Sequence, residues 1–356
     1  MTYRVAHVGT GLLGTFGLRG VIRHPDLELV AVHAHGADKQ QRDAGDLVGM
    51  PATGIIAEPD LDKIIAMKPD CISYMSKWVG REQAVMDETI RILEAGIDVA
   101  SIAHLPLCYP PKALESEMRD RIEAACKKGG SSFMASGFDP GFLDDALPVA
   151  LMSVVDRVDV VRMQEVGCYD HYAVEDVLRD LFGFGRPIEY KSPFFERDGL
   201  LERAWAPSLH EIADRLGVKL DGFNIVCNKV LTDVPLQVKI GTIDAGTVAG
   251  LHFALEGLVG GKPRIIIEHF NRMLPHIAPH WPKIEISNEV SYRIVIEGEP
   301  SITCTMDLKA EREGDEGVEI CAAMRVVNAI PSLCRAEPGA TWATKLPTYT
   351  ARAAWN

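Results

Sequence analysis

The chain has 356 residues, of which 47% are hydrophobic and 24% are charged, a composition typical of a folded globular protein with about two domains. The formal net charge of −13 argues against nucleic acid as the main partner, because a phosphate backbone is bound by a basic surface. No apolar run reaches the roughly 18 residues that a membrane span needs, and no signal peptide precedes the first strand pattern. We therefore expect a cytoplasmic protein that binds neither nucleic acid nor membrane.

The first 140 residues alternate strand patterns with helix patterns. Strands are predicted at Tyr3–Val8, Leu27–His33, Cys71–Tyr74, Asp98–Ser101 and Ser132–Ala135. Helices between them are predicted at Phe16–His24, Arg81–Ala95 and Lys112–Lys128. Such alternation indicates an α/β protein whose first domain is a Rossmann fold, a parallel, doubly wound sheet with right-handed crossovers.

The turn after the first strand carries a Gly-x-Gly-x-x-Gly pattern. It reads Gly9, Thr10, Gly11, Leu12, Leu13 and Gly14. The first glycine allows the tight turn, the second lets the backbone approach a pyrophosphate, and the third lets the helix pack closely on the strand. The helix N-terminus adds free N–H groups and a partial positive charge. The pattern predicts a nicotinamide dinucleotide site, with all six residues as candidate cofactor contacts.

From residue 141 the pattern changes to that of an α+β domain with a mostly antiparallel sheet. Helices are predicted at Leu143–Val154 and near Pro207–Leu216, and alternating apolar and polar residues indicate strands elsewhere. These strands are predicted at Val158–Val166, Leu236–Ile240, Thr247–Leu255, Arg264–His269, Ser291–Ile296 and Ser301–Leu308. We assign residues 1–140 to a dinucleotide-binding domain and 141–316 to a domain for substrate binding and dimerisation. Residues 317–356 are predicted to be a C-terminal helix and tail that return to the first domain.

The cysteines and histidines show no metal-binding pattern. The eight cysteines include no Cys-x-x-Cys pair, and we expect reduced thiols. His276 and His280 are four residues apart, but Pro279 between them interrupts a shared helix face. We expect no metal site.

The end of the second predicted strand bears on the choice of nicotinamide cofactor. An NAD site usually has a carboxylate there, about 20 residues after the glycines, to bind the ribose 2′-hydroxyl. This chain has His33 and His35 at that place and Lys39 shortly after, groups that can receive a 2′-phosphate. The sequence favours NADP, and Asp38 keeps NAD open.

Three motifs together resemble one family of reductases. They are Tyr109-Pro110 after the fifth strand, Gly137-Phe138-Asp139-Pro140-Gly141-Phe142, and Met324-Arg325-Val326-Val327-Asn328-Ala329-Ile330-Pro331 near the end. The family is that of the 2,4-diaminopentanoate dehydrogenase-like proteins, which includes the native amine dehydrogenases and has a dihydrodipicolinate-reductase-type N-terminal domain. The resemblance spans nearly the whole chain. It implies a homodimer that uses NADP(H) or NAD(H) and reversibly deaminates an amine to a ketone or aldehyde plus ammonia.

The chain departs from this family in the loop before Tyr109-Pro110. Where well-studied members carry a glutamate that handles the amine proton, this chain has Leu105 or Pro106, and neither can transfer a proton. His104 is the side chain at the tip of that loop with a suitable pKa, so it is the tentative catalytic residue. The other acids and bases to consider, each with a structural role as the alternative, are Asp139, Asp144, Tyr109, Tyr169 and His171.

Further contacts are expected from loops that follow the later strands. Ser76 and Ala103 are candidate cofactor contacts, and Asn328 could bond the nicotinamide amide. The substrate pocket is expected to be apolar, because the candidate walls lack the Arg and Lys cluster that would clamp a dicarboxylate. Its walls are predicted to be Tyr109, Phe138, Phe142 and Tyr169.

Three functional hypotheses follow. The first is an NAD(P)-dependent amine dehydrogenase that acts on a small apolar amine or ketone, with ammonia as co-substrate. The second is an NADP-dependent carbonyl or alkene reductase, which the missing glutamate favours and which needs no ammonia. The third is a non-catalytic dinucleotide-binding protein. A homodimer is expected in addition because one helix and a few loops hardly cover the broad sheet of the second domain.

Overall fold

A computed structural model of the chain describes residues 2–196, 199–283, 290–311 and 317–352. Residues 353–356 of the predicted C-terminal segment therefore lie outside the described residues. The chain forms two compact units. The first unit comprises Met1–Phe142 and Ala310–Asn356, and the second comprises Leu143–Lys309.

The first unit begins as alternating strands and helices. In chain order these are β1 (Tyr3–Val8), α1 (Leu12–Arg23), β2 (Leu27–His33), α2 (Ala44–Val48), β3 (Ala57–Glu58), α3 (Leu61–Ala66), β4 (Cys71–Tyr74), α4 (Glu82–Glu94), β5 (Asp98–Ser101), α5 (Ser116–Gly129) and β6 (Ser132–Ala135). The five predicted strands occur at the predicted residues. Helix α5 begins at Ser116 rather than Lys112, because Pro110–Lys112 forms a separate 3₁₀ turn.

The described part of the second unit contains a large sheet, a two-stranded sheet and two α-helices. Its elements are α6 (Ala146–Met152), β7 (Arg157–Cys168), α7 (Leu200–Leu216), β8 (Gly222–Leu231), β9 (Leu236–Val238), β10 (Gly241–Ile243), β11 (Val248–Val259), β12 (Lys262–Arg272), β13 (Val290–Glu299) and β14 (Ile302–Asp307). Strands β9 and β10 form the two-stranded sheet, and the large sheet has the order β14-β13-β7-β12-β11-β8. Strands β7 and β12 are parallel, and the other neighbours are antiparallel. The prediction of a mostly antiparallel sheet is confirmed.

The chain then returns to the first unit with α8 (Gly317–Val327), α9 (Ile330–Leu333) and β15 (Gly339–Trp342). Strand β15 adds to the edge of a seven-stranded sheet of order β15-β6-β5-β4-β1-β2-β3, whose neighbours are all parallel. Helix α8 packs against α1 at Gly20, where an added Cβ would lie only 2.6 Å from Met324 Sδ. The Rossmann fold predicted for this region is confirmed.

Apolar side chains cover both faces of the parallel sheet. On the side of α4 and α5 the core includes Ile72, Val99 and Phe133, and around α1 and α2 it includes Leu18 and Val32. Because the strands are parallel, the carboxyl ends of β1, β2, β4, β5 and β6 lie at one edge of the sheet and lead into loops there. Ligands bind at this edge in this class of sheet.

None of the described helices combines the length and apolar character that crossing a bilayer requires.

Candidate functional site

The glycine turn between β1 and α1 has the geometry of a phosphate cradle. Gly9 has a φ of +99°, and an added Cβ would lie 2.5 Å from the carbonyl oxygen of Met75. An added Cβ at Gly14 would lie 2.2 Å from the Gly9 oxygen, so this glycine lets α1 approach the turn. At Gly11 an added Cβ would meet nothing within 4 Å, which leaves the α1 N-terminus open. These three environments match the roles that a pyrophosphate requires of such glycines.

Other groups support the cradle from both sides. Lys39 donates from Nζ to the carbonyl oxygen of Thr10 over 2.5 Å, which places an ammonium beside the turn. His7 lies beneath it, with Nε2 2.7 Å from the Gly9 oxygen and Nδ1 3.2 Å from Ser73 Oγ. Burial lowers the pKa of His7 to about 4, so the imidazole is neutral at physiological pH. Leu12, at the first turn of α1, is exposed, and Leu13 is half-buried.

A polar network lies at the carboxyl ends of β2 and β4. Arg81 bonds Ser76 Oγ at 2.7 Å, His35 Nε2 at 3.1 Å and Glu88 Oε1 at 3.2 Å. Tyr74 donates its hydroxyl to the other oxygen of Glu88 over 2.5 Å. Although burial acts to raise the pKa of Glu88, hydrogen bonds from His35 and Tyr74 and the Arg81 charge lower it to about 2. The network therefore holds an arginine cation beside the predicted 2′-phosphate position.

His33 lies next to this network but is buried. Its Nε2 is 3.0 Å from the Pro59 oxygen, and its ring meets that of His35 edge-on at 4.4 Å. Burial and the neighbouring His35 lower the pKa of His33, so it contributes a neutral surface rather than a cation. A cleft of about 460 Å³ opens here; its lining includes His33, His35, Pro59, Leu61 and Glu88.

Three buried polar atoms of the first unit accept or donate no hydrogen bond within the described residues. They are Trp78 Nε1, Ser136 Oγ and Asn328 Oδ1. Trp78 and Ser136 follow β4 and β6, and Asn328 follows α8. Because buried polar groups are nearly always paired, such atoms indicate a ligand or solvent partner, and for Trp78 and Ser136 that partner lies at the carboxyl edge of the sheet. The residues present fit a nicotinamide dinucleotide.

The structure places His104 away from solvent. Its ring is fully buried, with Nδ1 2.7 Å from Ser101 Oγ and Nε2 3.1 Å from Thr89 Oγ1. Aromatic rings surround it, among them Trp78 and Phe133, with centroids at 5.3 and 5.1 Å. Burial lowers the pKa of His104 to about 3. This environment favours a neutral residue that positions the loop over one that exchanges protons with a substrate.

The remaining candidates of the first unit are mostly packed side chains. Ala103 is buried and donates its N–H to Ser101 Oγ. Tyr109 is buried with its ring edge-on to Trp342 at 5.3 Å. Phe138 and Phe142 lie with ring centroids 6.2 Å apart, and the Arg325 guanidinium covers Phe142 at 5.5 Å. The two phenylalanines thus lie side by side, and their role as substrate contacts stays a prediction.

In the second unit, Tyr169 belongs to a buried titratable cluster. Its hydroxyl donates to Glu165 Oε1 over 2.5 Å, and His269 Nδ1 lies 3.2 Å from the same oxygen. The His269 ring stacks on Phe253 with centroids 4.5 Å apart and an interplanar angle of 16°. Burial, followed by the charge of Glu165, raises the pKa of Tyr169 well above its usual range. Aromatic side chains continue around the cluster at Phe182, Phe194, Phe195 and Trp205.

The other acid and base candidates of the second unit have local partners. His171 Nδ1 lies 3.4 Å from the carboxylate of its neighbour Asp170. Asp144 is fully buried, and the adjacent Asp145 caps α6 by accepting a hydrogen bond from the Ala146 N–H. A capping role explains Asp145 without chemistry.

Two clusters are absent from the sequence-based predictions. One is the Arg81–Glu88 pair, which has no signal beyond ordinary helix charges. The other is Glu165 with His269, and here a signal exists. Glu165 lies on the same face of β7 as apolar Val161 and Met163, so a charged residue occupies a position that faces the core.

Comparisons with known proteins agree over nearly the whole chain. The sequence model of the 2,4-diaminopentanoate dehydrogenase C-terminal domain matches residues 143–354. An amine dehydrogenase from Streptomyces virginiae is 34% identical over 342 residues, which cover 95% of this chain and 94% of that protein. A 2,4-diaminopentanoate dehydrogenase from Acetoanaerobium sticklandii is 26% identical over 259 residues, 72% of this chain and 68% of that protein. The solved structure of an amine dehydrogenase from Mycobacterium smegmatis has the same fold, with a TM-score of 0.75 at 18% identity over 99% of this chain and 98% of that one.

Proposed function

The chain belongs to the 2,4-diaminopentanoate dehydrogenase-like family of amine dehydrogenases, oxidoreductases that act on CH–NH₂ groups, and from that premise we propose its specific reaction. The reaction is the reversible reductive amination of a small apolar ketone or aldehyde with ammonia, with NADPH as the preferred reductant. The observation that carries this proposal is the phosphate cradle at Gly9, Gly11 and Gly14 in a chain of this family.

The first unit would supply contacts to three parts of the cofactor. The open α1 N-terminus at Gly11 would hold the pyrophosphate, and Lys39 and Arg81 would receive the 2′-phosphate. Asn328 Oδ1 would accept a hydrogen bond from the nicotinamide carboxamide. When bound, the nicotinamide supplies or accepts the hydride. The protein's part is to orient the substrate and to exclude water from the reacting carbon.

The preference for NADPH rests on Lys39. Its ammonium uses one hydrogen bond on the Thr10 oxygen and keeps further donors for a phosphate. We expect Lys39→Ala to weaken NADPH binding by about tenfold or more and NADH binding by less than about threefold, because only NADPH carries the additional phosphate. Titration of the intrinsic cofactor fluorescence measures both constants. Lys128→Ala, which removes an exposed lysine paired with Glu94, is the matched control. If Lys39→Ala weakens the binding of NADPH and NADH equally, Lys39 does not receive the 2′-phosphate.

An apolar substrate is supported by the aromatic side chains of the second unit. Tyr169, Phe182, Phe194 and Trp205 lie in successive ring contacts. Glu165, the charged group at this cluster, pairs with no lysine or arginine in the described part of the chain. Such a surface offers no anchor for a substrate carboxylate, so a simple amine or ketone fits better than an amino acid.

The first experiment follows NADPH absorbance with cyclohexanone in the presence and absence of ammonium at mildly alkaline pH. Consumption that requires ammonium supports the proposed reaction. Consumption that does not require ammonium would replace it with a carbonyl reductase. No consumption over a wider panel of ketones and aldehydes, with NADPH still bound, would point to a protein that binds the dinucleotide without turnover.

A homodimer is part of the same proposal. Its support is the family resemblance, because the apolar cluster of Val160, Ala254 and Ile266, on the face of the large sheet opposite to α7, is already buried within the single chain. Trp205 of α7 contacts His269, and strand alternation places Ala254 and Ile266 on the other face. Light scattering on the purified protein measures the mass; a monomer at micromolar concentration would contradict the proposal.

A further inference from the structure

Glu165 is a buried carboxylate whose described partners are neutral donors or a titratable histidine. The residue is 8% exposed and lies on β7 opposite His269 of β12. The hydrogen bonds from Tyr169 and His269 both go to Oε1, and Oε2 bonds to none of the described residues. The second oxygen is therefore left for a ligand.

The surroundings suit a ligand that is a cation. Removing a carboxylate from water is unfavourable unless a positive group pairs with it. No lysine or arginine pairs with Glu165 in the described part of the chain, and aromatic rings surround the cluster at Tyr169, Phe253 and Trp205. Aromatic faces attract ammonium groups. A carboxylate among aromatic rings thus combines the two groups that bind an alkylammonium ion.

We propose that Glu165, held in place by Tyr169 and His269, binds the substrate nitrogen and carries its proton. This inference rests on the proposed reductive amination and names the acid–base group for it. The chain has no side chain that can transfer a proton at Leu105 or Pro106. In this proposal Glu165 of β7 carries the proton instead.

The protons of the proposed reductive amination balance when ammonium is the proton source. Glu165 as carboxylate takes a proton from ammonium, which leaves ammonia free to add to the carbonyl carbon and form the carbinolamine. Glu165 as acid then donates that proton to the hydroxyl, the C–O bond breaks, water leaves, and a cationic iminium remains beside the carboxylate. NADPH, the reductant of the proposed reaction, would supply the hydride that converts the iminium to the amine, and NADP⁺ would remain. Oxidation of the amine runs the same steps in reverse.

The kinetic test is Glu165→Gln, which keeps the size of the side chain and an oxygen for Tyr169 but removes the charge and the proton. We expect kcat for reductive amination to fall by about 100-fold or more, the usual range for a lost acid–base group. The fluorescence titration with NADPH should remain unchanged. The matched control is Glu268→Gln, one residue before His269 on β12. Glu268 is also buried and is bonded to Gln164 at 2.7 Å on the other face of the sheet. We expect the kcat of Glu268→Gln to stay within about threefold of that of the unmodified chain.

A binding test needs no turnover and separates this inference from the proposed function. Cyclohexylammonium and cyclohexanol have similar shapes but differ in charge. We expect Glu165→Gln to weaken cyclohexylammonium binding by at least tenfold in calorimetric titrations and to leave cyclohexanol binding unchanged. Tyr169→Phe, which removes one hydrogen bond to the carboxylate, should raise the pH at which kcat reaches half of its maximum. An ammonium-dependent enzyme in which Glu165→Gln retains kcat and ammonium binding would overturn the role of Glu165 while the proposed function stands. An enzyme without ammonium-dependent turnover would overturn the function instead, and the binding test would still decide whether Glu165 recognises a cation.

Discussion

The burial of His104 has a measurable consequence for stability. The pKa of this imidazole is about 3 in the folded chain and 6.5 in the unfolded chain. As the pH falls below 6.5, the unfolded chain binds a proton that the folded chain does not, and stability is lost. Between pH 8 and pH 5 this group alone lowers the free energy of unfolding by about 2 kcal/mol.

The variant His104→Gln removes that titration and keeps a side chain that can bond Thr89 or Ser101. It loses some stability at every pH, because a smaller side chain leaves space beside Trp78 and Phe133. The informative quantity is the difference in free energy of unfolding between the unmodified chain and the variant, from urea unfolding at pH 8, 6 and 5. We expect this difference to shrink by about 2 kcal/mol from pH 8 to pH 5. His276→Gln, at an exposed histidine, is the control and should show no such change.

Two results would refute the reasoning. One is a pair of parallel stability curves, which would mean that His104 titrates alike in the folded and unfolded chains. The other is kinetic: a kcat that falls about 100-fold in His104→Gln with loss of one limb of its pH profile would identify His104 as a proton carrier. A packed neutral histidine predicts a modest change in kcat with the shape of the profile retained.

Three further substitutions test the first unit. Gly11→Ala should weaken NADPH binding by about tenfold or more with little change in melting temperature, since the added Cβ meets no protein atom and stands where a pyrophosphate would approach. Gly14→Ala should instead lower the melting temperature by several degrees, because its Cβ would lie 2.2 Å from the Gly9 oxygen. Asp98→Asn should raise the free energy of unfolding at pH 7.5 by roughly 1–3 kcal/mol and have little effect near pH 4. Burial raises the pKa of Asp98 to about 6, so the folded chain loses stability as the pH rises from about 4 to 6, while an amide can still accept the Ser132 N–H. If urea unfolding at pH 7.5 shows Asp98→Asn to be less stable than the unmodified chain, the predicted direction is wrong.

Local patterns were sufficient to predict the parallel sheet of the first unit. Strands such as Leu27–His33 are short apolar runs between turn signals, and their register follows from crossovers that the helices impose. The two edge strands, Ala57–Glu58 and Gly339–Trp342, were not predictable in this way. Each pairs with a strand that offers an unpaired edge, and neither is an apolar run between turn signals.

The part of the candidate site that depends on backbone geometry was predictable from the sequence. The parts that depend on contacts between distant side chains were not. The glycine turn follows from residue types alone, because a φ of +99° and close approaches below 3 Å exclude other side chains. The network of Arg81, Glu88 and Tyr74 depends on residues 7 to 14 positions apart that meet only after the sheet forms. The same holds for Glu165 and His269, which are 104 positions apart.

The buried histidines show why sequence position alone misleads about chemistry. His7 and His104 meet hydroxyl and carbonyl oxygens, and those partners are satisfied by a neutral imidazole. A proton added to either ring would find no anion, so burial depresses both pKa values. His269 instead meets the Glu165 carboxylate, with Nδ1 3.2 Å from Oε1. Of these three histidines, His269 is the one beside a carboxylate, and that carboxylate is the group to which we assign proton transfer, although His104 lies in the loop where the family resemblance directs attention.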